Sequence, residues 1–266
     1  MDILRRASAP LSDRTWQELE RAVGMTARHL MAARRVATFD GPRGWEHVAS
    51  PLGTISPCRP GESGVIVCMP DVVLLTQIRA EFSLPWSTIE VFERGGPALD
   101  TQPAEAAARE VALAEDRIAL FGDPVGSGFL SQKSSPSIEL HSWSEPRTIL
   151  GDLLKARSVL DQLSIPGPYE AVLSVPRYLA YLSAYDAGYP VRHYLQDVIA
   201  AVHRSAVMRD GGALFSTRGG DFILTVGGDL SVGYRHHDQE SVHLFCLETM
   251  TAQAIAPEAV CLLREA

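Results

Sequence analysis

Two groups of side chains in the sequence have the composition of a catalytic or metal-binding site. The first is the turn Gly126-Ser127-Gly128, and the second is a cluster of His236, His237, Asp238 and His243. A phosphate-binding loop or a nucleophile elbow needs further glycines at fixed spacing, so we interpret the first as a plain turn. Neighbouring residues on a strand point to opposite faces, so His236 and His237 cannot readily share one metal ion. We therefore interpret the second group as a solvated turn.

The four cysteines are Cys58, Cys68, Cys246 and Cys261, and they form no CxxC pair and have no zinc-finger spacing. We predict that they are reduced thiols and that the protein holds no metal. The acidic pair Glu115-Asp116 is interpreted as part of a solvated helix face. The sequence thus gives no reason to propose an enzyme, and no catalytic residue is assigned.

Composition limits the class of protein further. The chain has 266 residues, of which 46% are hydrophobic, and its formal net charge is −8. These values are typical of a packed globular protein, and the absence of a basic excess argues against nucleic acid as a partner. The segment Met1–Arg6 is followed by Ser, Ala and Pro, without the apolar run of a secretory or membrane-spanning segment. We expect a cytoplasmic protein that does not bind membranes.

The elements that must position any site begin with a helix over residues 12–35, capped by Ser12. Residues 50–85 then resemble a long two-stranded arm, in whose return leg Ile78 and Phe82 belong to an apolar face. Two strands alone bury too little surface to be stable. We therefore expect Ile78 and Phe82 to lie at a contact with another subunit.

A second helix is predicted over residues 101–121, ending at Gly122. Residues 145–215 alternate between helix and strand patterns, and residues 221–263 return to strands. The fold class expected from these patterns is α+β.

Several strings, taken together, resemble the encapsulins, also called linocin- or bacteriocin-type proteins. They are Leu4-Arg5-Arg6, Ala9-Pro10-Leu11, Phe39-Asp40-Gly41-Pro42, Gly44-Trp45-Glu46, Phe92-Glu93-Arg94-Gly95, Arg218-Gly219-Gly220-Asp221-Phe222, Gly228-Asp229-Leu230-Ser231-Val232-Gly233-Tyr234 and Glu248-Thr249. Their order and spacing match from end to end, so the resemblance covers essentially the whole chain.

The resemblance implies the fold of tailed-phage major capsid proteins. It assigns residues 1–49, 86–135 and 221–266 to a P-domain, residues 50–85 to an E-loop and residues 136–220 to an A-domain. It also implies self-assembly into a closed icosahedral shell, in its smallest form of about 60 copies.

Encapsulins enclose a cargo enzyme, commonly a dye-decolorising peroxidase or a ferritin-like protein, which suits roles in oxidative stress or iron storage. The cargo docks through a C-terminal peptide. Carried over by position, the docking groove comprises Leu30, Met31, Arg34, Val36, Thr38, Asp40, Leu230 and Met250. From the residues alone, the apolar members of this set equally suit ordinary core positions.

The resemblance also places Asp186, Ala187, Gly188 and Tyr189 at a pore on the five-fold axis. Some family members bind flavin beside a tryptophan after the E-loop. Trp86 is displaced by one position from that pattern, so we predict no cofactor and name Trp86 as the residue that a flavin would contact. The alternative function is the major capsid protein of an integrated phage that packages DNA. The net charge of −8 disfavours it.

Overall fold

A computed structural model describes residues 2–60, 64–186 and 188–265 of the chain. The helices are α1 (Asp13–Arg28), α2 (Ala33–Val36), α3 (Trp86–Glu93), α4 (Gln102–Phe121), α5 (Pro146–Gln162), α6 (Val175–Ser183) and α7 (Val191–Leu195). The strands are β1 (Thr38–Asp40), β2 (Ala49–Ile55), β3 (Arg59–Pro60), β4 (Ile66–Val67), β5 (Pro70–Leu74), β6 (Thr76–Pro85), β7 (Ser137–Leu140), β8 (Tyr169–Ser174), β9 (Tyr185–Asp186), β10 (Tyr189–Pro190), β11 (Ala201–Ser205), β12 (Gly212–Ser216), β13 (Phe222–Val226), β14 (Ser231–His237), β15 (Ser241–Ala254) and β16 (Val260–Glu265).

Two five-stranded sheets organise these elements. In the first, β15 pairs with β13 and β14, and it also pairs along its first ten residues with β6. The second sheet has the order β11-β8-β12-β16-β7. Phe222 of the first sheet lies against Phe215 of the second, with ring centroids 5.1 Å apart, and against Phe129 at 5.3 Å. All three rings are buried, so the two sheets share one apolar core.

Helix α4 packs on the first sheet, and α1 packs on α4. The body of α4 is rich in alanine, and Ala104, Ala108, Ala112 and Ala119 are fully buried. Small side chains let a helix approach a neighbouring element closely. The helix ends as predicted at Gly122, whose φ of +76° suits glycine.

The first helix is shorter than the predicted span of residues 12–35. It begins after Ser12, whose hydroxyl accepts a hydrogen bond from the amide of Thr15, and it ends at Arg28. The amides of Leu30 and Met31 both donate to the carbonyl oxygen of Ala27, which closes a turn before α2. This turn brings α2 into contact with α4 and with strand β13 of the first sheet.

The predicted subunit contact at Ile78 and Phe82 is wrong. Strand β6 is a member of the first sheet, and its apolar face is covered by α4 of the same chain. Ile78 and Phe82 are accordingly only 8% and 9% exposed within the single chain. The projecting arm therefore consists of β2 to β5 and does not extend to residue 85.

Two further expectations need correction. The segment 221–266, which was assigned to one P-domain, does not lie in one sheet. Its last strand, Val260–Glu265, pairs with β12 and β7 of the second sheet. Cys58 and Cys68 form a disulfide at the tip of the arm, whereas Cys246 and Cys261 are free and buried. The prediction of reduced thiols is therefore wrong for Cys58 and Cys68.

Candidate functional site

A cavity of about 400 Å³ lies where the turn after α1 meets α2, β1 and the residues before β14. Its lining residues are Arg28, Met31, Arg34, Arg35, Phe39 and Asp229. Phe39 is 37% exposed and Met31 is buried, so apolar surface lies beside three guanidinium groups. We refer to this cavity as the arginine groove.

The structure brings together four of the residues predicted for cargo docking. Met31 and Arg34 line the arginine groove. Leu30 and Leu230 are partly buried and pack on the small cluster formed by Ala27, Met31 and Ala112. The turn that ends α1 therefore positions this half of the predicted site.

The other four predicted docking residues lie elsewhere. Val36 and Met250 are buried in the main core, so their side chains are not available to a peptide. Thr38 lines a separate cavity of about 240 Å³ and accepts a hydrogen bond from the amide of Gly220. Asp40 forms a surface ion pair with Arg43 at 2.7 Å. The positions carried over from the resemblance did not distinguish groove residues from core residues.

Arg34 is held from behind by three carboxylates. Its Nε donates to both oxygens of Glu115, at 2.9 and 3.0 Å, and its Nη2 donates to Glu115, Asp229 and Glu248. Glu115 and Glu248 are fully buried, and Asp229 is partly exposed. Among the described residues, no hydrogen-bond partner contacts Nη1, so this end of the guanidinium has donors left for a ligand in the groove.

The buried carboxyl groups have displaced acidities. Desolvation and the neighbouring Glu115 charge raise the pKa of Glu248 well above its ordinary value, against the opposing effect of Arg34. Burial raises the pKa of Asp116 to about 6, although it accepts hydrogen bonds from the amide of Ala33 at 2.8 Å and from the hydroxyl of Ser205 at 2.9 Å. The interpretation of Glu115-Asp116 as a solvated pair is wrong, because both are fully buried in this network.

Sequence reasoning did not find Arg28, Arg35, Phe39 or Asp229. Arg28 and Arg35 are exposed, and Arg35 donates through Nη2 to the backbone oxygen of Arg28 at 3.2 Å. The guanidinium of Arg34 lies 5.1 Å from the ring centroid of Phe39. The signal in the sequence was the concentration of arginines in residues 28–35. That signal indicates a site only when the turn after α1 places these arginines around one cavity.

The predicted pore residues form a small hairpin. Asp186 of β9 pairs with Tyr189 of β10, and Gly188 between them has a φ of +86°, which favours glycine. Ala187 lies outside the described residues. The carboxylate of Asp186 is partly exposed and lies 3.9 Å from Nε of Arg147. The location of this hairpin on a symmetry axis stays a prediction.

Trp86, the first residue of α3, lies beside the turn between β14 and β15. His236 and His237 end β14, Asp238 is in the turn, and His243 is on β15. The indole N–H of Trp86 donates to the backbone oxygen of Asp238 at 2.8 Å, and its ring meets His237 edge-on. His236 stacks on His243, and Nε2 of His243 lies 2.9 Å from the carboxylate of Asp238. Within the described ranges, no group of three or more His, Cys, Asp or Glu side chains is arranged to hold a metal ion. His237 contacts the Trp86 ring on one side, and the ring remains partly exposed.

No helix in the described part of the chain has the length and apolarity needed to cross a membrane. Comparison with solved structures shows the fold. A virus-like particle from Pyrococcus furiosus superposes with a TM-score of 0.70 at 18% identity, covering 94% of this chain and 99% of that one. The capsid of Myoviridae phage XM1 gives a TM-score of 0.59 at 10% identity, covering 87% and 90%. The chain has the capsid-like α+β fold expected from its sequence.

Sequence comparison is more specific. A family model described as an encapsulating protein for peroxidase matches residues 1–251. The type 1 encapsulin shell protein of Rhodococcus erythropolis is 35% identical, with 98% of each chain aligned. That of Mycobacterium tuberculosis is 32% identical, covering 97% of this chain and 98% of its own. With relatives this similar along their whole lengths, the chain belongs to the type 1 encapsulin shell protein family.

Proposed function

We propose that this chain is the structural subunit of a closed shell of about 60 identical copies that encloses a cargo enzyme. Family membership over the whole chain is the observation that carries the proposal. The shell has no catalytic role in this proposal, and it works in the cytoplasm. Chemistry belongs to the cargo, and the family description, an encapsulating protein for peroxidase, supports a peroxidase as that cargo. A ferritin-like protein is the other cargo that we propose.

The arm supplies the physical reason for assembly. Its large exposed apolar side chains are Leu52, Ile55, Val65, Ile66, Val67, Met69, Val72 and Leu74. In a monomer, these apolar side chains of the two-stranded arm are exposed to water, which is unfavourable. Burial against neighbouring subunits removes that cost.

Assembly is tested by light scattering and electron microscopy of the purified full chain. Ile66, which is 71% exposed, is replaced by Asp, with Ile66→Val as the matched control. We expect closed particles from the wild type and the control, and folded unassembled chains from Ile66→Asp. A wild-type chain that remains monomeric at native salt and pH would contradict the proposal, and DNA inside purified particles would favour the phage capsid alternative.

The arginine groove is the proposed seat of the cargo peptide. Phe39, Met31, Leu30 and Leu230 offer apolar contacts, and the free Nη1 of Arg34 offers charge-assisted donors to peptide carbonyl or carboxylate oxygens. One groove in every subunit would load many cargo chains into one shell.

The groove is tested with Phe39→Glu, because Phe39 is exposed and its replacement leaves the core intact. Val91→Glu is the matched control, since Val91 is an exposed apolar residue of α3 that does not line the groove. We expect Phe39→Glu shells to lose most co-purified cargo and Val91→Glu shells to retain it, with cargo measured per assembled particle. Equal loading in both would place the docking site elsewhere.

A further inference from the structure

Two exposed cysteines face each other across the tip of the arm. Cys58 directly precedes β3 and Cys68 directly follows β4, and the adjacent residues Arg59 and Val67 are backbone partners. The Cα atoms of Cys58 and Cys68 are 4.3 Å apart, and their sulfur atoms are bonded. The disulfide therefore joins the two strands of the hairpin at directly opposite positions.

Little else in the described part of the tip holds the two legs together. Strands β3 and β4 contribute only two residue pairs. The next bonds lie toward the base. The amide of Ser56 donates to the carbonyl oxygen of Met69 at 2.9 Å, and the hydroxyl groups of Ser56 and Thr54 donate to the carboxylate of Asp71. The nearby apolar side chains Val65, Ile66 and Val67 are exposed and bury no core. Because so short a hairpin is marginal in water, the disulfide is the strongest restraint on strands β3 and β4.

The other two cysteines provide an internal comparison. Cys246 and Cys261 are fully buried, and burial raises the pKa of their thiols to about 12 and about 11. The thiolate is the form that reacts with oxidants, so these two thiols are protected. The exposed pair at the tip is open to reagents in solution.

We propose that Cys58 and Cys68 are a redox modification site that fixes the tip of the arm when a peroxide oxidises it. One thiolate attacks hydrogen peroxide and breaks its O–O bond, which gives a sulfenic acid and hydroxide. The hydroxide takes up the proton that the thiol had lost and becomes the first water. The other thiol then displaces the sulfenic oxygen as a second water and forms the disulfide. Two thiols and one peroxide thus give one disulfide and two waters. The modification concerns the single chain, and only its effect on subunit contacts rests on the proposed function.

The effect on the tip follows from loop closure. The two cysteines are separated by ten residues in sequence. A cross-link around a loop of that size lowers the population of open conformations by roughly 100-fold in the chain-entropy model. We expect the amides of residues 64–69 to exchange with solvent up to that much more slowly in the oxidised protein.

The experiment starts from the full chain, fully reduced and then treated with one equivalent of hydrogen peroxide. The protein is unfolded in iodoacetamide, and its peptides are weighed. We expect residues 58 and 68 in one cross-linked peptide pair that has lost two hydrogens, with Cys246 and Cys261 alkylated. Amide hydrogen exchange of residues 64–69 is measured in parallel. Cys58→Ser with Cys68→Ser should abolish the redox response, whereas the control Cys261→Ala should retain it.

Three results would overturn the proposal. They are full alkylation of Cys58 and Cys68 after peroxide, oxygen addition or linkage to another chain in place of the internal disulfide, and equal amide exchange in the two redox states. Particle formation is recorded on the same samples. If the disulfide forms in chains that never assemble, the proposed shell is contradicted and the proposed redox site is not.

Discussion

Replacing Arg34 by Met tests the charge network beneath the arginine groove. The substitution keeps most of the side-chain volume but removes the cation that neutralises Glu115 and Glu248, both fully buried. Removing one partner of a buried ion pair costs about 3–5 kcal/mol, because the remaining charge has no compensation. Asp229 is partly exposed and adds little to that figure. For a chain of this size, the loss corresponds to a fall in melting temperature of roughly 6–20 °C.

The assay is thermal unfolding of purified particles at one scan rate and several pH values. Burial already raises the pKa of Glu248 against the opposing effect of Arg34, so without Arg34 this carboxyl group avoids a buried charge only by binding a proton. The deficit should therefore be largest near pH 8 and should shrink as the pH falls toward about 5. Arg35→Met is the matched control, since Arg35 is exposed and pairs with a backbone oxygen. Its stability should change by less than about 0.5 kcal/mol.

A second variant separates lost charge compensation from lost packing. Arg34→Met combined with Glu115→Gln and Glu248→Gln carries no buried charge at this position, and it should recover at least half of the lost melting temperature. The reasoning is refuted if the single variant is as stable as the wild type, if its deficit is equal at both pH limits, or if the triple variant is no better than the single one.

Three other predictions follow from residues described above. Phe82→Ala should destabilise the chain by about 3–5 kcal/mol in urea unfolding, as expected for a core residue and not for a subunit contact. Because the pKa of Asp116 is raised to about 6 in the folded chain, the stability it contributes is present at acid pH and lost as the pH rises through 6; Asp116→Asn should match the wild type near pH 4 and exceed it near pH 8 by up to about 3 kcal/mol. In loaded shells at low salt, Asp186→Asn should slow and Arg147→Gln should speed cation-dependent cargo turnover, with free cargo as the control; equal rates would leave the hairpin as a size filter.

The elements with strong periodicity were predictable from sequence. The pattern located α4 and its end at Gly122. Alternation in β6 revealed an apolar face but not its cover, since the same pattern suits a helix of the same chain and a neighbouring subunit equally well. The strand Val260–Glu265 joins the second sheet through partners distant in sequence, which local pattern does not report.

The candidate site was predictable only in part, and for physical reasons. The resemblance named Arg34 and Met31, and the turn after α1 places both at the arginine groove. Their role in cargo docking stays a prediction. Glu115-Asp116 resembled a solvated pair because acidic residues are seldom buried without partners. Those partners, Arg34 for Glu115 and Ser205 for Asp116, are more than 80 residues away in sequence. Two cysteines ten residues apart likewise carry no sign of their pairing until the hairpin brings them together.

The aromatic contact among Phe129, Phe215 and Phe222 has a mechanical consequence. Because these buried rings interlock the two sheets, bending one sheet against the other would open a void in dense packing. Each subunit should therefore act as a stiff tile, and curvature cannot be produced by flexing the tile itself. In a closed container built from such tiles, the angles between neighbours are set at their edges and by their arms. Differences in shell diameter among relatives would then come from residues at the subunit edges and in the arms, while the packing between the two sheets stays the same.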